Sequence, residues 1–210
     1  MKRSVLVLTI SLVGAFVFAD GDTYQSMMEL VVPLLRSGDS KSLVPLVGRL
    51  KGVADGASQN EAATCRLIAS CLLLEKSGNE PDCSAYNEAT NLCRTAIANM
   101  GANTNAWQVF GLQLVLADSC SVDGRYNEAF TMSTNLLSRI NLSTMPTQET
   151  NIWDAISCYL FESNSLTVCE AVNTSAAMNL ALANRTSDLM TYTNSIPPGA
   201  VQLVNGLIDK

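Results

Sequence analysis

The sequence predicts an all-α fold built from helical hairpins, and three observations predict it. Leu, Ala and Met recur at helical spacing from Tyr24 to the end of the chain, with little strand-like alternation of β-branched residues. Turn-forming groups cut the chain into helix-sized pieces: Ser37-Gly38-Asp39, Asp55-Gly56, Ser77-Gly78-Asn79, Met100-Gly101, Asp123-Gly124 and Met145-Pro146. Tyr86-Asn87-Glu88-Ala89 returns forty residues later as Tyr126-Asn127-Glu128-Ala129, and a period of that length marks stacked helical repeats.

Between these turns the pattern predicts helices near 24–36, 40–53, 59–76, 82–99, 104–119, 125–140, 147–162, 166–184 and 199–208. Two prolines interrupt apolar runs. Pro33 is expected to kink or split its helix, since proline removes a hydrogen bond and clashes with the preceding turn. Pro45 is expected in the first turn of a helix capped at Ser40 or Ser42. The repeat divides the middle of the chain into three helix–turn–helix units near 57–100, 103–140 and 146–185. A weaker echo, Glu170-Ala171, falls in the third, and Trp107 and Trp153 each sit early in the helix before a repeat.

The N-terminus reads as a secretory signal over residues 1–19. Lys2 and Arg3 precede an apolar run from Ser4 to Phe18, and Val17-Phe18-Ala19 suits cleavage before Asp20. The run is shorter than the roughly 20 apolar residues a membrane span needs. A single all-α domain is then expected over 20–210, in the periplasm or outside the cell, with no membrane span in the mature chain. Of 13 basic residues the signal takes two, and against 19 acidic ones this leaves a mature net charge of −8. Such a balance gives no electrostatic footprint for nucleic acid.

Seven cysteines in an exported chain point to disulfides. No C-x-x-C spacing supports zinc or a thioredoxin-like site. Residues equidistant from a hairpin turn face each other, which ranks Cys158–Cys169 first, Cys71–Cys83 second and Cys65–Cys93 third. Cys120 is left over. A counterargument is phase: Cys65 and Cys71 lie six apart, about 120° around a helix.

The chain has no histidine, which removes Ser-His-Asp and Cys-His systems and the commonest metal ligand. No P-loop, dinucleotide fingerprint or calcium loop occurs, so no metal or cofactor is expected. Catalysis by paired carboxylates stays open, with Glu61, Glu75, Glu88, Glu128, Asp154, Glu162 and Glu170 on predicted helices. Three glycosylation sequons begin at Asn141, Asn173 and Asn184.

The repeats resemble the tetratricopeptide family. The second unit has Trp107, Phe110-Gly111 and Leu114, then Gly124, Tyr126 and Ala129 in the family's order. The third has Trp153, Ile156-Ser157, Leu160 and Ala171, and the first keeps Tyr86 and Ala89. The second unit is about six residues longer than the family's, and the expected prolines are absent. The resemblance implies that the first helix of each hairpin lines a concave surface that binds a protein or peptide. Gln108, Gln113, Asn151 and Asp154 would then be contact residues, with Trp107 and Trp153 as packing residues. The expected function is an exported protein-binding or scaffold module. The alternatives are a carboxylate-dependent secreted enzyme and a purely structural surface or envelope component.

Overall fold

A computed structural model describes residues 22–78, 81, 83–140, 147–161 and 166–208. The expected signal peptide, Glu162 and the sequon at Asn141 lie outside the described residues. Every regular element among the described residues is helical. In order they are α1 (Tyr24–Ser37), α2 (Ser40–Leu43), a 3-10 turn (Val44–Leu46), α3 (Val47–Gly56), α4 (Gln59–Lys76), α5 (Ser84–Met100), α6 (Trp107–Val122), α7 (Tyr126–Leu137), α8 (Thr147–Phe161), α9 (Val168–Leu182), α10 (Thr186–Thr193) and α11 (Pro198–Ile208).

Local chemistry explains the starts and stops. At α4 the Ser58 N–H and hydroxyl both donate to the Glu61 carboxylate, at 3.0 and 2.7 Å. At α9 the Thr167 N–H donates to Glu170 at 2.8 Å, and the Glu170 N–H donates back to the Thr167 hydroxyl at 3.2 Å. Both arrangements satisfy amide donors that a helix start leaves without partners. Just past the end of α6, Gly124 takes a φ of 72° that suits glycine, and the Arg125 N–H closes the end on the Cys120 carbonyl at 2.8 Å.

Pro33 does not split its helix, and Pro45 stands in a first turn as expected, but of a short 3-10 element rather than of one continuous helix. Helix α1 runs through Pro33, while Pro45 opens a 3-10 turn that separates α2 from α3. The side of the helix decides the first case. Pro33 is exposed, whereas Val31, Val32 and Leu35 are buried, so the proline stands on the wet side of α1. The cap before Pro45 is Asp39, which accepts from the Ser42 N–H at 3.2 Å.

Consecutive helices pack in pairs: α4 with α5, α6 with α7, and α9 with α10. The pairs also meet one another, α6 lying on α4 and α5, and α9 on α6 and α7. Helix α3 packs against α4, and α11 against α9. One helix leaves this order. Helix α8 packs mainly along α1, and α7 meets α9 directly. The third expected unit, near 146–185, is therefore assembled differently. Its two helices touch only slightly, and α9 pairs instead with α10, a helix that the periodicity did not reveal.

The expected disulfides are not formed, and all seven cysteines are free thiols. Cys158 and Cys169 sit on α8 and α9, which diverge to different neighbours. Cys83 caps α5, accepting from the Tyr86 N–H at 3.4 Å, and is not bonded to Cys71. The thiol that feels the charge of Cys93 is Cys71, and both are buried between α4 and α5. Cys65 lies a third of a turn away around α4, which separates it from Cys71 as the phase argument requires.

Candidate functional site

The four expected contact residues do not share an open face. Gln108 is 1% exposed, and its amide donates to the Thr64 hydroxyl at 3.4 Å, a buried polar link between α6 and α4. Gln113 is half-buried, and its Oε1 is sealed from solvent without a hydrogen-bond partner. Asn151 is exposed and accepts from the Arg36 guanidinium, which ties α8 to α1. Asp154 is half-buried on α8.

What the structure does bring together is a junction of α4, α6 and α8. The Trp107 and Trp153 rings meet edge to face, with centroids 5.9 Å apart and planes at 69°. The Trp153 Nε1 donates to the Leu166 carbonyl at 2.7 Å, so its one polar atom is satisfied in the core. Gly111 makes the close approach possible. A Cβ at this position would lie 2.6 Å from a Leu67 methyl and 3.3 Å from the Trp153 ring. Gly111→Val is therefore expected to cost about 1–3 kcal/mol by overpacking, read as a lower denaturation midpoint at unchanged m-value. A midpoint equal to that of wild type would show that the slot has room to spare.

A second polar constellation sits where each repeated Tyr-Asn-Glu-Ala segment meets the following turn. The Tyr86 hydroxyl reaches the Asp123 carboxylate at 2.7 Å and the Ser119 carbonyl at 3.1 Å. Arg125 bridges Asp123 and Glu128, each at 2.7 Å. The hydrogen bond from Tyr86 holds the Asp123 carboxyl below its usual range, with Arg125 assisting. Burial, then Asp123, pushes the Tyr86 phenol up to about 12.

The next turn repeats the design. Asn184 takes a φ of 55°, the Arg185 N–H closes on the Leu180 carbonyl at 2.9 Å, and Arg185 pairs with Asp188 at 2.7 Å. Arg185 also reaches Asn127 at 3.3 Å and lies 5.0 Å above the Phe130 ring. The sequence signal for this turn was Arg185 with Asp188, matching Arg125 with Glu128, sixty residues on rather than forty. Helix α8 and its connections fill the extra twenty. Of the described sequons, Asn173 is 8% exposed and bonded to the Cys169 carbonyl, a poor glycan site, and Asn184 stands at this turn.

Tyr86→Phe removes the hydroxyl and leaves the ring. It is expected to lower stability by about 1.5 kcal/mol, the range for a hydrogen bond to a charged group, and to raise the Asp123 pKa. Titration of Asp123 by NMR checks both. An unmoved Asp123 would mean that Arg125 alone sets it.

The third constellation joins Asp118 on α6 to the buried thiols of Cys71 on α4 and Cys93 on α5. Asp118 is half-buried on α6, and desolvation pushes its carboxyl up to about 7. Its charge is felt by the thiols of Cys71 and Cys93. Burial raises both thiols, Cys93 to about 12, which keeps them protonated and weak as nucleophiles. Among the described residues no group of three or more Cys, Asp or Glu could hold a metal ion. No helix of the described residues is long and apolar enough to cross a membrane.

No family model, curated protein or solved structure matches this chain.

Proposed function

We propose that this chain is an exported helical-repeat protein whose task is to bind another protein or peptide. The observation that carries the reading is α8. Helix α8 lies along α1 and meets α6 through the Trp153 ring, with Ile152, Trp153 and Ile156 buried and Asn151 outward. A face that takes one helix of this chain has the shape and chemistry to take another, in the helix-in-groove mode of recognition. Stacked pairs of helices build extended surfaces of this kind. The repeated turns at Arg125 and Arg185 support a repeat architecture, with α8 as an insertion between its second and third pairs. Export rests on Lys2, Arg3, the apolar run that follows and the cleavage pattern at Ala19.

The test joins both halves. The protein is recovered from the exported fraction after treatment with a cross-linker. Its N-terminus is expected at Asp20, and cross-links to a partner are expected on α1, α6 and α8. Recovery of an intact Met1 in the cytosol defeats the export half. Cross-links confined to α5, α7 and α10, or none to any protein, defeat the binding half.

A further inference from the structure

The packing order of the helices isolates one segment. Helix α9 lies directly on α6 and α7, so α8 does not stand between them. Helix α8 instead crosses to α1, where the Arg36 guanidinium holds Asn151 at its N-terminal end. Its Trp153 ring fills the slot left by Gly111 beside Leu67 and Trp107, and Ile152, Ala155, Ile156 and Phe161 join the same core. Its buried side carries Ile152, Trp153, Ala155, Ile156 and Ser157, continued by Phe161. The pattern is an apolar residue, an aromatic beside it and a second apolar residue one turn on, the signature of a helix docked in a groove.

We infer that α8 is a self-docked helix that occupies the protein's own partner-binding face, and that a partner presenting a helix of the same chemistry displaces it. This rests on the protein-binding reading above and adds the partner's class and a means of regulation. The partner contributes an amphipathic helix with a tryptophan flanked by aliphatic residues, and a polar side chain placed to meet Arg36. Binding then competes with an intramolecular helix at high effective concentration, so only a partner that docks better than α8 opens the face.

The experiment uses the unaltered protein and a synthetic peptide spanning residues 147–161, with serine in place of Cys158. Hydrogen exchange is followed by mass spectrometry over α4, α6 and α8. Without peptide, α8 amides are expected to exchange on the order of tenfold or more faster than those of α4 and α6, since a docked segment opens without global unfolding. With excess peptide, exchange of the protein's own α8 rises further while α1 and α6 stay protected. A peptide carrying Trp153→Ala leaves the pattern unchanged. The inference is overturned if α8 exchanges as slowly as α4 and α6, or if the unaltered peptide has no effect. Neither result depends on a natural partner, so failure of the protein-binding reading is registered separately, by the cross-linking experiment.

Discussion

Trp153→Ala is expected to lower the melting temperature by about 6–20 °C. The side chain is 1% exposed and is the largest among the fully buried side chains. Truncating a buried Trp typically costs about 3–5 kcal/mol, which is the transfer of a large apolar surface plus the cavity left behind. For a chain of this size each kcal/mol shifts the midpoint by about 2–4 °C. The loss has a ceiling set by the fold. If it exceeds what holds α8 in place, α8 leaves, and stability falls no further than the docking free energy of that helix. The two regimes differ in fluorescence. The variant keeps a single tryptophan, Trp107, which is 5% exposed while α8 covers it. A blue emission with a lowered melting temperature means that the cavity is tolerated in place. A red shift below the melting transition means that α8 has left its seat. An exposed change such as Gln202→Ala on α11 is the control, expected within about 0.5 kcal/mol of wild type. A Trp153→Ala variant that melts with wild type would remove this junction from the core and with it the packing argument for α8.

How far the sequence could be read depends on which forces are local. Helix α4 was legible to the residue at Gln59–Lys76, because its cap, its apolar content and its terminal Lys76 all lie within the segment. Helix α10 was not, because Thr186–Thr193 is rich in Thr and Ser, which favour caps and turns over helix interiors. It is helical because Leu189 is buried against α9 and Tyr192 packs edge to face with Phe130, contacts no local window contains. The packing role of Trp107 was legible from the repeat register, and Trp153 is buried too, though on a helix that leaves that register. The destination of α8 was not legible, since its buried residues suit α1 as well as they suit α9. That one ambiguity also carried the Cys158–Cys169 pairing, which assumed that the two helices form a hairpin. Gln108 shows the same limit on the site. A glutamine on an apolar helix reads as surface, and what buries it is Thr64 on a helix more than forty residues away.

Asp118 was invisible as a distinct residue in the sequence, one acid among 19, and its environment gives it the largest pH effect expected here. Burial alone raises its carboxyl from 3.8 to about 7 in the folded protein. The sign follows from linkage. Below about 4 the carboxyl is protonated in both states and its contribution to stability is fully present. As the pH rises toward 7 the unfolded chain ionises first, and stability is lost until the folded group ionises as well. A shift of this size corresponds to at most about 4 kcal/mol, at 1.36 kcal/mol per unit. Asp118 is only half-buried, so water reaching it reduces the figure, to about 2 kcal/mol in practice. Asp118→Asn keeps the shape and removes the titration. The variant is expected to match wild type near pH 4 and to exceed it by about 2 kcal/mol near pH 8, with the difference opening between those values. Comparing the two proteins at each pH cancels the titration of the other acids, which both share. Denaturant midpoints across that range check the sign and the size. A difference independent of pH would mean that Asp118 ionises normally in the folded state. A variant less stable than wild type at pH 8 would mean that its carboxylate is paired there, and that Cys71 and Cys93 are not its principal neighbours.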